Sequence, residues 1–328
     1  MGIAIRFQTT GGPEVLQAED VTVGDPGPGE VKLRHTAVGL NFIDTYHRNG
    51  QYRVTLPSGL GMEAAGVVLA VGPGVEGLKV GARVAYAGGP LGAYAEERLF
   101  PADRLVPIPE GVSDHQAAAV LLKGLTAHYL VRRTHRAMPS ETAVVHAAAG
   151  GVGLLLCQWL NHLGSRVIGT VSTPEKAKLA RANGCHHPLV LDASTRDRFV
   201  QTVVELTAGE KAPVVYDSIG KDTFLLSLDC LAPLGLLVVF GASSGPVPPF
   251  DLQLLAQKGS LFVTRPTLAT YTARRADLLA GAAEVFDLVR RGVLTVHVNQ
   301  EYPLREAARA HRDLEARRTT GSTVFKLG

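Results

Sequence analysis

The sequence predicts an α/β chain in which a doubly wound parallel sheet is joined to a β-rich domain, and three observations predict it. The chain has 328 residues, enough for two domains of roughly 100–200 residues each. Residues 1–125 carry short apolar runs between glycine and proline turns (Gly11-Gly12-Pro13, Pro26-Gly27-Pro28-Gly29, Pro57-Ser58-Gly59, Gly72-Pro73-Gly74), the pattern of many short strands. Further on, strands and helices alternate, which gives a parallel sheet covered on both faces.

The elements follow in order. Residues 113–120 and 124–133 read as helical. A strand at 142–147 leads into a helix at 151–163 that Gly164 ends, and a strand at 166–171 leads into a helix at 174–182 that ends near Gly184. Further strands are expected at 214–217, 236–240 and 261–264. The sheet domain is placed at 126–265. The tail holds helices at 276–291 and 305–316 and a strand at 323–327. It is expected to return to the first domain, which then comprises 1–125 and 266–328.

Composition excludes several classes. With 46% hydrophobic and 19% charged residues the chain is ordinary for a globular enzyme. A net charge of +3 gives no argument for nucleic acid or a membrane surface. Cys157, Cys185 and Cys230 are far apart and form no CxxC pair, so neither a disulfide framework nor a zinc knuckle is expected, and a reducing cytoplasm fits. The start, MGIAIRFQTTGGPEV, lacks the run of about 7–15 apolar residues of a signal peptide. No stretch of about 18 apolar residues is present to span a bilayer. The 11 histidines are scattered, without the three or four clustered ligands that zinc needs, so no metal is expected.

The chemistry-bearing segment is Ala148-Ala149-Gly150-Gly151-Val152-Gly153, between a strand and a helix. It is G-x-G-x-x-G with Ala148 in the first glycine's place. Small residues are needed here because the turn is tight, the backbone must touch a pyrophosphate, and the helix must pack close to the sheet. Free N–H groups at the helix start then bind the anion. A tight turn with no ligand is the alternative. The strand before, the helix after and the second strand about 20 residues on favour a Rossmann dinucleotide site.

The second strand ends Val171-Ser172-Thr173, without the acid that binds the ribose 2′-OH of NAD. Thr173 reads as an N-cap before Pro174, and Glu175 as a helix-stabilising first-turn acid. Lys176 is a first-turn cation, disfavoured by the helix dipole by about 0.3–1 kcal/mol. A 2′-phosphate would reverse that balance, with Ser172 as a second donor, so NADPH is the expected cofactor; a solvated lysine is the alternative. Other strand ends expected to face the cofactor are Asp217-Ser218, Phe240-Gly241-Ala242-Ser243-Ser244 and Val263-Thr264-Arg265. Ordinary connecting loops are the alternative there.

GGPEVL (11–16), VGLNFIDTY (38–46), LPSGLGMEAAGVV (56–68), LKGLTAHYL (122–130), HAAAGGVG (146–153), VVYDSIG (214–220) and FGASSG (240–245) together resemble the medium-chain dehydrogenase/reductase superfamily. Within it they are similar to the zinc-free quinone oxidoreductases related to zeta-crystallin, over essentially the whole chain. The resemblance implies a GroES-like catalytic domain beside the Rossmann NADPH-binding domain. Zinc-dependent relatives carry a ligand Cys where this chain has Asn41 and a ligand His where it has Met62, and their four-cysteine lobe is missing from 87–100.

The resemblance also implies site residues. Asn41, Phe42 and Ile43 are expected near the nicotinamide, with Asp44 and Thr45 beside them. Tyr46, Tyr52 and Tyr129 are expected to line the cleft between domains, and Thr126 to point at the cofactor. Gly150, Gly151 and Val152 would hold the pyrophosphate, and Ser172 and Lys176 the 2′-phosphate. Ser243, Ser244, Thr264, Arg265 and Arg317 would complete the dinucleotide site, with Ser218 and Gly241 from the strand ends. Asn41, Tyr46 and Tyr52 are the catalytic candidates, the tyrosines for protonating or orienting a quinone oxygen. Structural alternatives stand beside these: core packing for Phe42 and Ile43, a cap for Asp44, surface aromatics for Tyr46 and Tyr52, and a solvated helix end for Arg317. Relatives often place a Tyr against the adenosine where this chain reads Leu189-Val190-Leu191, so that contact is not expected.

The implied activity is metal-free reduction of a small-molecule quinone by NADPH. The alternatives are reduction of activated C=C bonds (2-alkenals, enones) and an NADPH-regulated RNA-binding or structural protein, with Arg132, Arg133 and Arg136 as a basic patch or simply a solvated helix face. A bare edge strand at 261–264 implies a homodimer. Neither a membrane nor a nucleic-acid partner is expected.

Overall fold

The computed structural model describes residues 2–327. Their contacts divide into two compact units. Unit 1 is built from residues up to Leu125, from Tyr271–Gly292 and from Val296 on; unit 2 is Thr126–Thr270 with Val293–Thr295. The division falls inside two helices, between Leu125 and Thr126 and between Thr270 and Tyr271.

Unit 1 begins with strands β1 (Gly2–Phe7), β2 (Gln17–Val21), β3 (Glu30–Leu40), β4 (Ser58–Gly59), β5 (Glu63–Val71), β6 (Arg83–Ala87), β7 (Glu97–Pro101) and β8 (Val106–Pro107). Helix α1 (Phe42–Arg48) follows β3 directly, and α2 (Asp114–Tyr129) follows β8. β3 alternates buried and more open residues at first, where β7 and β5 flank it, and is continuously buried towards Leu40, where β5 and a later strand flank it. α2 is one helix where the sequence suggested two. Gly124 sits inside it: a Cβ there would lie 2.6 Å from the Val285 side chain, so this glycine serves close packing rather than a break.

Unit 2 holds β9 (Thr142–Val145), α3 (Gly151–His162), β10 (Arg166–Val171), α4 (Pro174–Ala182), β11 (His187–Val190), α5 (Arg196–Leu206), β12 (Ala212–Asp217), α6 (Phe224–Asp229), β13 (Leu231–Val239), α7 (Gln253–Gln257), β14 (Phe262–Thr264) and most of α8 (Leu268–Tyr271). All six strands are parallel, in the order β11-β10-β9-β12-β13-β14. Counted within the unit this is 3-2-1-4-5-6, the Rossmann order, whose direction reverses between β9 and β12. β9 stops two residues short of the expected end because Ala147 turns to φ 53°. β11, α5 and α6 lie beyond the elements expected from sequence; β11 is short, contains Pro188 and is only half-buried, so it has no clear period.

The chain returns to unit 1 as α9 (Arg275–Arg290), β15 (Val298–Pro303), α10 (Ala307–Glu315) and β16 (Ser322–Lys326). The tail strand β16 pairs antiparallel with β3 and parallel with β15. The resulting sheet runs β15-β16-β3-β5-β6-β8, with β7 also on β3, and β2-β1-β4 form a second, three-stranded sheet. This is the GroES-like architecture, and its core gathers Phe7, Leu33, Leu60, Tyr94, Phe100 and Phe325. The Rossmann core gathers Val144, Ile168, Phe199, Val215 and Leu237 around its sheet.

Phe325 is fully buried on β16, its ring 4.8 Å from that of Tyr94. Phe325→Ala is expected to remove about 3–5 kcal/mol from unit 1. Denaturant unfolding followed by a probe in that unit should show an earlier midpoint; an unchanged midpoint would refute the placement of β16 in the core.

Candidate functional site

In unit 2 the site is built at the carboxyl ends of β9 and β12, where a doubly wound sheet opens for ligands. The Ala147–Gly150 turn is drawn tight by a Gly150 N–H to Ala147 C=O bond of 2.9 Å, and Ala148 N–H is tied to Thr170 C=O at 2.9 Å. A Cβ on Gly153 would lie 2.2 Å from the Ala147 oxygen, so only glycine lets α3 sit this close. Gly150 is the N-cap of α3 and offers no side-chain cap. The first N–H groups of the helix, Gly151 and Val152 among them, therefore have no intrahelical acceptor and present a positive end to an anion.

The β10–α4 turn repeats the arrangement without glycine. Thr173 caps α4, its Oγ1 accepting from Lys176 N–H at 3.3 Å, with Pro174 at the first helical position. Ser172 is exposed, Lys176 half-buried, and no acid ends β10.

Beneath these loops lies a polar network that the motifs did not reveal. Asp217, wholly buried at the end of β12, accepts from Ile219 N–H (2.8 Å), Gly220 N–H (3.0 Å), Thr223 Oγ1 (2.7 Å) and Ser227 Oγ (2.9 Å). Ser227 thus donates to Asp217 and accepts from His146 Nε2 at 3.0 Å, and His146 Nδ1 meets Thr170 Oγ1 at 2.9 Å. Burial holds the His146 imidazole below its ordinary value, partly offset by Asp217. The loops after β12 and β13 are then joined: Ser243 N–H reaches Ser218 C=O and Ser244 N–H reaches Ile219 C=O, at 3.2 and 2.9 Å. A Cβ on Gly241 would lie 2.5 Å from the Ser218 oxygen. The Ser244 hydroxyl is spent inside this joint, donating to Ile219 C=O and accepting from Asp222 N–H. Thr264 ends β14, half-buried, and Arg265 after it is exposed. Thr126 and Tyr129, on the last turn of α2, are both buried.

In unit 1 the candidate residues gather at the start of α1. Asn41 is its N-cap and is 5% exposed; Phe42 and Ile43 are half-buried. The Asn41 side-chain amide donates to Glu63 Oε2 at 2.8 Å. Glu63, fully buried on β5, also takes Lys123 Nζ (3.2 Å) and Leu122 N–H (2.7 Å) from α2. Asp44, fully buried, accepts on Oδ2 from Asn41 N–H at 2.9 Å and from the Tyr94 hydroxyl at 2.8 Å. Asp44 thus closes the first turn of α1 and does not face outward. Thr45 is turned back as well, its hydroxyl on Phe42 C=O at 2.7 Å. Phe42, Tyr46 and Tyr52 form an edge-to-face row with centroids 5.5 and 5.3 Å apart. Tyr46 is buried, and Tyr52 is the more open of the two tyrosines. Arg317, exposed at φ 59°, follows α10.

Glu63, Lys123, Tyr94 and His311 escaped the sequence reading. A signal existed: Glu63 and Lys123 are lone opposite charges in otherwise apolar runs, GMEAAGVV and LLKGLTA.

These residues do not fit a zinc ion. The Glu63 carboxylate is already engaged by an ammonium and two amide donors, and Met62 and Asn41 supply no strong ligand. Cys157, Cys185 and Cys230 are free and buried in unit 2, and among the described residues no group of three His, Cys, Asp or Glu could hold a metal.

Comparison with known proteins agrees with both halves. Residues 27–110 match the alcohol dehydrogenase GroES-like domain and residues 151–276 the family described as zinc-binding dehydrogenase. A quinone oxidoreductase of Pseudomonas aeruginosa is 55% identical over 99% of both chains. A 2-haloacrylate reductase of a Burkholderia species is 47% identical, again over 99% of both. The crystal structure of Escherichia coli quinone oxidoreductase complexed with NADPH superposes with a TM-score of 0.96 at 47% identity, covering 99% of this chain and 100% of that one. With a GroES-like unit, a Rossmann unit and full-length identity of this order, the chain belongs to the quinone oxidoreductase family of the medium-chain dehydrogenases/reductases.

Proposed function

We propose that the chain is a metal-independent NADPH:quinone oxidoreductase. The observation that carries the cofactor choice is the β10–α4 turn, where Ser172 and Lys176 stand and no acid does. The E. coli relative, crystallised with NADPH, supports it.

When bound, NADPH supplies the hydride chemistry. The chain's own residues bind, orient and shield. The N–H groups of Gly150, Gly151 and Val152 take the pyrophosphate, helped by the dipole of α3. Lys176 and Ser172 take the 2′-phosphate. Ser218, Gly241, Ser243, Thr264, Arg265 and Arg317 follow the rest of the dinucleotide, with Thr126 and Tyr129. Ser244 acts by holding the loop. Asn41, Phe42 and Ile43 present the first turn of α1 to the nicotinamide, and Asp44 and Thr45 brace that turn from behind. Tyr52, more open than Tyr46, is the better placed to orient or protonate a quinone oxygen. A quinone is already a strong acceptor, so positioning and exclusion of water suffice.

A second reading, reduction of activated C=C bonds, is favoured by the 2-haloacrylate reductase relative. We further propose a homodimer through β14. This strand ends the Rossmann sheet, and Phe262 on it is 58% exposed. The free, buried thiols suit a reducing cytoplasm, and among the described residues no helix is long and apolar enough to cross a membrane.

NADPH oxidation followed at 340 nm is expected to accelerate with 1,4-benzoquinone far more than with an enone; acceleration by the enone alone would transfer the assignment to the second reading. Lys176→Ala should raise the KM for NADPH by about ten- to a hundred-fold, the worth of a charged hydrogen bond, and leave that for NADH nearly unchanged. Equal effects on both would remove Lys176 from the phosphate site. Sedimentation should show dimers at micromolar concentration and monomers for Phe262→Glu; dimers in both would move the interface elsewhere.

A further inference from the structure

Behind the first turn of α1 runs a buried chain of hydrogen bonds whose direction is dictated by its first member. The Arg48 guanidinium can only donate, and its Nη1 lies 3.0 Å from His311 Nδ1. His311 therefore carries its proton on Nε2 and donates it to the Tyr94 oxygen at 3.1 Å. Tyr94 in turn donates to Asp44 Oδ2 at 2.8 Å, the same oxygen that accepts Asn41 N–H. Arg48 is anchored by Glu315, which accepts from it at 3.0 and 2.7 Å. The other carboxyl oxygen of Asp44, Oδ1, is buried with no hydrogen-bond partner.

We infer that Asp44 is a positioning residue whose carboxyl fixes Asn41 and the first turn of α1, and that one proton gained or lost there changes how firmly the turn is held. The functional half rests on the quinone-reductase reading above. The groups facing Asp44 from its surroundings are Tyr94, Lys123 of α2 and Glu63 of β5, with His311 of α10 one bond further. Burial pushes the Asp44 carboxyl up to about 7; Asn41 N–H, Tyr94 and Lys123 oppose the rise and Glu63 adds to it. Burial and Arg48 push His311 down to about 3, so it stays neutral and keeps the direction of the chain across the working range. With Oδ1 lacking a partner, neither form of Asp44 is fully satisfied. The ionised form is the stronger acceptor for Asn41 and Tyr94, and is the form that holds the turn.

The test is the pH profile of kcat/KM for NADPH-driven reduction of 1,4-benzoquinone between about pH 5.5 and 9, for the wild type, Asp44→Asn and Tyr94→Phe. The wild type should rise with pH along a limb near neutrality. Asp44→Asn should lose the limb. Tyr94→Phe removes a donor to the ionised form and should move the limb up by about one pH unit. A limb that survives in Asp44→Asn, or that Tyr94→Phe leaves in place, overturns the inference; Tyr94→Phe decides alone if the Asn variant does not fold. Thermal melts give an arm independent of turnover. A carboxyl raised in the folded state contributes stability that is full below its unfolded value near 4 and is lost as pH rises through about 7. The melting temperature of the wild type relative to Asp44→Asn should therefore fall across that window, whereas relative to Tyr94→Phe, whose carboxyl is raised further, it should rise at the upper end. No quinone turnover at any pH would sink the function reading while the melts still report the proton; a difference constant with pH would sink the inference itself.

Discussion

Glu63 lies wholly inside unit 1, and the segments around it are arranged to satisfy one carboxylate. Asn41 reaches it from the start of α1, Lys123 and the Leu122 N–H from α2, while its own strand β5 pairs with β3. The approach is so close that β3 must carry glycine opposite: a Cβ on Gly39 would meet Glu63 Oε2 at 2.4 Å and Ala118 O at 2.2 Å. A buried charge stripped of its partner costs about 3–5 kcal/mol. That penalty fixes α1, α2 and the sheet in one register, so the Asn41 amide has one orientation open to it.

Unit 2 solves the same problem with neutral donors. Asp217 gathers backbone N–H groups and the hydroxyls of Thr223 and Ser227, and Ser227 passes the connection to His146 under β9. The result is a rigid floor from which the loops after β12 and β13 rise already joined. Their backbones do not wait for a ligand to order them, so a bound dinucleotide would lose little affinity to loop ordering. Close contact in this unit depends on absent side chains: Gly153 against Ala147 and Gly241 against Ser218.

Much of this was legible in the sequence, for a physical reason. The Ala147–Gly153 turn must have small residues, a strand before it and a helix after it, and those demands act on neighbours in the chain. So the doubly wound sheet, α3, α4 and the Thr173 cap could be read locally. β11 could not, because a short half-buried strand with Pro188 has no period to read. The sequence suggests two helices, 113–120 and 124–133, where the fold has the single helix α2 with Gly124 inside it, packed against Val285, a contact no local pattern shows. The catalytic candidates at 41–46 were named through the resemblance, but their roles divide by burial, which sequence does not show: Phe42 and Ile43 stay half-open while Asp44 and Thr45 turn inward. The buried partners are separated by long stretches of chain (Glu63 from Lys123, Asp44 from Tyr94 and His311), and no local pattern links them.

The two carboxyls of unit 1 then explain each other. Both are fully buried, and both touch Asn41, one through its side chain and one through its backbone. Only Glu63 has the ammonium in direct contact. Asp44 feels Lys123 at longer range, receives only neutral donors, and also feels the charge of Glu63. The cation is thus shared unequally: Glu63 holds it directly, while Asp44, whose carboxyl burial raises, meets it only at a distance. Glu63 anchors the Asn41 amide beside the Lys123 ammonium, and Asp44 is the group whose charge can change. Asn41 is thus held from one side by its side-chain amide on Glu63 and from the other by a backbone bond whose acceptor, Asp44, can gain or lose a proton.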